Sequence, residues 1–150
     1  MSARRLLVIN GPNLNMLGQR EPDVYGTQTL DEINEGLKAF VKKNESELGA
    51  AELQFVQSNI EGELVTIIQN TKKNNFSGVV INPGAFGHTS IAIRDAFLSV
   101  GVPFVEVHIS NTFSREEFRH KSYLSDIAHG VIIGLGTQGY ELAIRALLKP

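Results

Sequence analysis

The sequence predicts a doubly wound α/β protein, a three-layer sandwich built on a five-stranded parallel sheet. Three observations carry this. Short, β-branched, nearly continuous apolar runs recur at Leu6–Ile9, Val79–Ile81, Phe104–Val107 and Val131–Ile133, as expected of strands covered on both faces. Helical patterns long enough for parallel crossovers lie between them. A fifth run, Glu52–Gln57, mixes polar and apolar residues and suits a half-exposed edge. The resulting order βαβαβαβαβα fits the flavodoxin-like arrangement, strand order 2-1-3-4-5, in one domain spanning residues 1–150.

Taken in order, the first strand runs into Asn10–Gly26, longer than an ordinary strand-to-helix loop. Loops of that length in compact domains are functional or disordered. Gly11, Pro12, Gly18, Pro22 and Gly26 impose backbone shapes, and Leu14, Met16 and Leu17 can pack the loop down, so it reads as an active-site loop that closes. Thr29-Leu-Asp-Glu32 is a capping box, and Leu30, Ile33, Leu37, Phe40 and Val41 give the following helix one apolar face. A second helix is expected over Glu61–Asn75, with Lys72 and Lys73 in its last turn complementing the dipole. A third spans Thr89–Val100, with Thr89 or Ser90 as its cap, and Gly101-Val-Pro103 ends it. Arg115–Ala128 reads as a short, irregular crossover, and Gln138–Leu148 as the last helix. Gly134-Leu-Gly136-Thr-Gln-Gly139 fits the dinucleotide pattern G-x-G-x-x-G, but only eleven residues follow it. No βαβ unit and no acidic ribose partner can be built from them, so these glycines read as a tight turn and close helix–sheet packing.

Composition narrows the function. The 150 residues are 42% apolar and 20% charged, those of a globular protein with a real core. A net charge of −2 gives no electrostatic footprint for nucleic acid or an anionic membrane. The absence of cysteine excludes disulfides and thiolate metal sites. The amino-terminal apolar run is too short for a membrane span or a signal-peptide core, so a cytoplasmic location is expected.

In doubly wound sheets ligands bind outside the carboxyl ends of the strands, where strands 1 and 3 diverge. Strand 1 delivers Asn13, Arg20 and Tyr25 there; strand 3 delivers Asn82 and His88. Strand 4 delivers Glu106, His108, Ile109 and Ser110, followed by Arg115 and Arg119. Glu106 and His108 stand two apart and leave a strand on one face, which suits either a general acid or a buried ion pair. Gly84 and Gly87 leave backbone amides open to an anion, or simply form a capping turn. Arg115 and Arg119, one helical turn apart beside Glu116 and Glu117, read as a solvated face or as a cover over the site. A metal-dependent hydrolase drawing on His88, His108, Glu106 and Asp95 is a rival, although Glu106 and His108 lie side by side and Asn82 is no preferred ligand. A signalling receiver would need acid where Asn10 and Asn82 stand, and a flavin carrier rests on fold analogy alone.

The motifs Asn10-Gly-Pro-Asn-Leu-Asn-Met-Leu-Gly-Gln-Arg-Glu-Pro-Asp-Val-Tyr-Gly26, Gln57-Ser-Asn-Ile-Glu-Gly62 and Ile81-Asn-Pro-Gly-Ala-Phe-Gly-His-Thr-Ser90 together resemble type II 3-dehydroquinate dehydratase. So do Arg94-Asp95, Glu106-Val-His-Ile-Ser-Asn111, Arg115-Glu-Glu-Phe-Arg119 and Gly130-Val-Ile-Ile-Gly-Leu-Gly136, and the resemblance covers essentially the whole chain. It implies loss of water from 3-dehydroquinate through an enolate, with no cofactor and no metal. It further implies Tyr25 as the base, Arg20 and Arg115 as the cations that stabilise its phenolate, and Asn13 as the holder of a water at the enolate. His108, oriented by Glu106, would be the acid, and Asn82, His88, Ile109, Ser110 and Arg119 would hold substrate. The resemblance also implies trimers assembled into a dodecamer, with Asp95 reaching a neighbour's site. The lysines argue against a Schiff base: Lys38, Lys42, Lys43, Lys72, Lys73 and Lys149 fall on helices or at the tail, and only Lys121 is near the site.

Overall fold

The computed structural model describes residues 3–150. Five parallel strands, β1 (Arg4–Asn10), β2 (Ala51–Gln57), β3 (Gly78–Asn82), β4 (Phe104–His108) and β5 (Gly130–Ile133), form one sheet in the order β2-β1-β3-β4-β5. The expected order therefore holds, and each strand contains its expected apolar run. Flanking residues such as Arg4 and Asn10 join the strands because backbone pairing continues past the apolar run. Edge strand β2 alternates partly buried and exposed residues over its first four positions, as its mixed composition requires.

Alternating residues of the inner strands feed opposite cores. Leu6 and Val8 of β1, with Val105 and Val107 of β4, pack against α2 (Leu30–Lys43) and α6 (Gln138–Leu148). Leu7, Ile9, Val79, Ile81 and Phe104 pack instead against α4 (Glu61–Gln69) and α5 (Ile91–Val100). Helix α2 begins with the predicted capping box: Glu32 N donates to Thr29 Oγ1 at 3.2 Å, and Thr29 N donates back to Glu32 Oε1 at 3.3 Å. Two single-turn helices, α1 (Pro22–Tyr25) and α3 (Glu45–Leu48), complete the helical set that starts before β2.

Four expectations need correction. Helix α4 ends at Gln69, so Lys72 and Lys73 lie in the turns beyond it. The cause is local: the Thr71 hydroxyl donates to Ile68 O at 2.7 Å, Phe76 N returns to Thr71 O, and Asn75 turns to φ 63°. Helix α5 begins at Ile91 because Ser90, rather than Thr89, is the cap; Ser90 Oγ accepts from Ile93 N at 2.9 Å. In the long loop Leu14 and Leu17 are buried but Met16 is exposed, since the 3-10 turn Leu14–Met16 puts residues three apart on one side. Arg115 and Arg119 do not share a helix; Arg115 follows the 3-10 turn Thr112–Ser114, and Arg119 ends a second one, Glu117–Arg119.

The glycines after β5 act as read. Gly134 and Gly136 take φ of 84° and 65° in the turn, and a Cβ at Gly139 would sit 3.1 Å from Val107 Cγ1. At the switch point between β1 and β3 the loops after these two strands touch through backbone. Gly11 N donates to Asn82 O at 2.8 Å, and a Cβ at Gly11 would fall 2.3 Å from Pro83 O. Among the described residues no helix is long and apolar enough to cross a membrane.

Candidate active site

At the carboxyl ends of β1, β3 and β4 the chain forms an open cleft. Ten of the twelve anticipated residues line it: Asn13, Arg20, Tyr25, Asn82, His88, His108, Ile109, Ser110, Arg115 and Arg119. Glu106 lies behind His108. Asp95 is exposed on α5, outside this cleft.

Tyr25 ends α1, and its phenol oxygen is met by two cations. Arg115 Nη1 donates to it at 2.7 Å and Arg20 Nη2 at 3.2 Å. Arg115 reaches across from the segment after β4 and also donates to Ser110 Oγ at 3.3 Å. Arg20 shares its charge with Glu21, whose Oε2 is 3.3 Å from the same nitrogen. Two guanidinium groups thus converge as donors on a single phenol oxygen.

On the opposite strand, Glu106 is fully buried and its Oε2 meets His108 Nε2 at 2.5 Å. Burial pushes the Glu106 carboxyl up, but hydrogen bonds from His108, Ser125 and Ser122 outweigh it and hold the group below the usual carboxylate range. An ionised carboxylate only accepts, so Nε2 carries a hydrogen and Nδ1 is the ring nitrogen left for the cleft. His88 stacks on His108 with ring centroids 5.8 Å apart, and its Nδ1 donates to Lys121 O at 2.7 Å. Desolvation lowers the His88 pKa, with the neighbouring His108 and Arg119 charges adding to it against the Lys121 carbonyl. His88 is therefore neutral, with Nε2 as an acceptor. Arg119 pairs with Glu116 at 2.9 Å on the rim.

Beneath the cleft runs a polar chain that sequence reasoning missed. Gly84 N donates to Asn82 Oδ1 at 3.2 Å, which fixes the amide and leaves Nδ2 to donate to Tyr140 OH at 2.9 Å. Tyr140 must then donate onward, and it does, to Asn10 Oδ1 at 2.5 Å. Burial pushes the Tyr140 phenol well above its ordinary range, so it keeps that proton. Asn10 Nδ2 is left buried without a partner. The same contact means that the Gly84 amide is not open to an anion, as the sequence had suggested; the Asn82 side chain occupies it.

Further residues escaped notice. Ser125 Oγ donates to Glu106 Oε1 at 2.7 Å. Asn59 Oδ1 accepts from Asn13 N at 2.9 Å, with Gln57 Nε2 bracing it at 3.2 Å. Gln57 and Asn59 fall in a quoted motif, but nothing local marks them as supports of a loop more than forty residues earlier. Lys121 sends its carbonyl to His88, while its ammonium lies over the Tyr123 ring, 4.8 Å from the centroid. Among the described residues no three His, Asp or Glu side chains gather as a metal site.

The family model for class II dehydroquinase matches residues 4–148. The chain belongs to that family. The 3-dehydroquinate dehydratase of Idiomarina loihiensis is 54% identical over 144 residues, covering 96% of this chain and 91% of the relative. That of Bordetella avium is 54% identical over 147 residues, covering 98% and 99%. Among solved structures, the type II dehydroquinase of Butyrivibrio crossotus superposes with a TM-score of 0.92 at 43% identity, covering 98% of this chain and 99% of that one. The type II dehydroquinase of Propionibacterium acnes gives 0.90 at 41%, covering 99% and 100%. Family membership thus agrees with the parallel sheet, its strand order and the cleft at its carboxyl edge.

Proposed function

We propose that this chain is a 3-dehydroquinate dehydratase that works through an enolate, with Tyr25 as base and His108 as acid. The observation that carries the mechanism is the pair of guanidiniums on the Tyr25 oxygen, at 2.7 and 3.2 Å, in the same cleft as the Glu106–His108 pair. Phenolate Tyr25 takes a proton from the carbon next to the substrate ketone. The electron pair left behind moves into the carbonyl, and the enolate oxygen is stabilised by a water held by Asn13. Collapse of the enolate expels the hydroxyl on the next carbon as His108 protonates it through Nδ1, and water leaves. The proton taken by Tyr25 must then pass on to restore the phenolate, and the imidazole must be reprotonated. The carbon–oxygen bond breaks without a covalent enzyme intermediate, so no lysine is needed.

Asn82, with one amide hydrogen committed to Tyr140, offers the other to a substrate hydroxyl. Neutral His88 accepts from another hydroxyl, while Arg119 and the backbone amides of Ile109 and Ser110 bind the carboxylate. The same step serves aromatic biosynthesis in the shikimate pathway and quinate breakdown. The whole chain acts as one catalytic domain in the cytoplasm.

We also infer assembly into trimers and a dodecamer. Helix α5 supports this: Ile91 and Leu98 are each 57% exposed, and Asp95 lies between them on the same side. Arg94, next in the chain, bonds Asp126 and Tyr123 O rather than Asp95. Asp95 is left to meet a neighbour's Tyr25 loop.

The direct test follows the enone absorbance of the product. The parent should convert 3-dehydroquinate, and Tyr25→Phe should lose nearly all turnover while still binding substrate. Near-normal turnover in Tyr25→Phe refutes the base; no conversion by the parent refutes the activity.

A further inference from the structure

Glu106 enters the reaction only through His108, yet it is itself held from another side. Oε2 meets His108, while Oε1 accepts a 2.7 Å hydrogen bond from Ser125 Oγ. Ser122, three residues earlier, accepts from Leu124 N at 3.1 Å and adds a smaller influence that favours the ionised carboxylate. Between the two serines Leu124 is fully buried in the apolar cluster shared with α4 and α5. Ser125 is therefore fastened to the core beside its neighbouring leucine, and its hydroxyl braces Glu106 on the side away from His108.

We propose that Ser125 is a positioning residue for the proton donor: its hydroxyl holds Glu106 oriented so that it grips His108 by Nε2 and aims Nδ1 at the cleft. This rests on the reading of His108 as the acid. A carboxylate deprived of a charge-assisted donor takes up a proton at higher pH. Once protonated, it neither fixes the ring nor balances an imidazolium. Around the dyad stand His88, from the turn after β3, and Arg119, from the crossover. Neither is changed by substitution at Ser125, so a displaced pH profile reports on the carboxylate.

The experiment uses the whole chain as purified. Ser125→Ala should lower kcat about tenfold at neutral pH, the scale of one hydrogen bond to a charged group, with KM within about twofold. The acidic limb of its kcat profile should move to higher pH. Ser122→Ala, which breaks no bond to the carboxylate, should move the limb less, and Ser125→Thr, which keeps a hydroxyl, should return both measures toward the parent. The imidazole Nε2–H of His108, observed by NMR without turnover, should lose its low-field position in Ser125→Ala. A variant that melts earlier but keeps the parental kcat profile and imidazole signal overturns the proposal, because the serine then only satisfies a buried charge. Should His108→Ala retain turnover, the assignment of the acid fails separately, and the imidazole signal still decides whether Ser125 fixes the ring.

Discussion

Replacing Tyr140 by Phe removes one oxygen atom from the most buried polar chain in the protein. The ring stays, so no sizeable cavity opens, and the loss is confined to hydrogen bonding. Two bonds go, from Asn82 Nδ2 at 2.9 Å and to Asn10 Oδ1 at 2.5 Å. Both former partners are almost wholly excluded from solvent, Asn10 at 0% and Asn82 at 3% exposure. Each is therefore left unsatisfied rather than rehydrated, at about 1–3 kcal/mol apiece. A total of about 3 kcal/mol follows, equivalent to a fall in Tm of roughly 6–12 °C in a chain of this length. Urea unfolding followed by far-UV circular dichroism, at fixed subunit concentration, measures it. The double variant Asn10→Ala/Tyr140→Phe should lose less than the two single losses added together, because it removes an unpaired acceptor together with its former donor. A Tyr140→Phe loss under about 0.5 kcal/mol, or strict additivity, would refute the account of a fully committed chain.

Other outcomes follow from the site. Arg115→Ala should cost more activity than Arg20→Ala, about 30-fold against a few-fold, because Arg115 is closer to the phenol and Arg20 is partly neutralised by Glu21; the reverse order in kcat would undo the ranking. Glu106 has a depressed folded pKa, so its ionised form stabilises the fold above the unfolded carboxyl value, and that stabilisation is lost as pH falls through the lower folded value. The stability gap between the parent and Glu106→Gln should accordingly narrow on acidification in urea titrations, and a constant gap would contradict it. Borohydride added with substrate should neither inactivate the enzyme nor add mass to it; an adduct on Lys121 would overturn the enolate route. Mixed Asp95→Ala and Tyr25→Phe subunits should regain activity on exchange, and a mixture that stays inactive despite proven exchange rules out the shared site.

The parts of this protein legible in its sequence are those encoded by neighbours. Thr29 and Glu32 are three apart and announced their capping box. Glu106 and His108 are two apart on a strand, and their contact followed from strand geometry alone. The apolar runs specified buried strands, and the mixed composition of β2 specified its place at the edge. Lys72 and Lys73 misled because two cations after an apolar pattern look like a helix end, whereas a threonine hydroxyl had already turned the chain. Tyr140 was invisible for a different reason. It meets Asn82 across 58 positions and Asn10 across 130, and no periodicity reports a contact of that range. On its helix it reads as one more apolar-face aromatic. Ser125 likewise looked like an ordinary polar residue of an irregular crossover, and only the folded strand end gives it a carboxylate to hold.

The backbone contact between Gly11 and Pro83 carries one last consequence. The proposed proton acceptor travels on the chain leaving β1, and the proposed donor is packed beside the chain leaving β3. Those two chains abut with no side chain between them, since a Cβ on Gly11 would come within 2.3 Å of Pro83 O. The width of the reaction chamber is thus gauged by main chain against main chain. A methyl group at Gly11 would act as a shim, prying the jaws apart while leaving every reacting group chemically intact. Catalytic tolerance in this enzyme is set, in part, by a residue that brings no side chain to it.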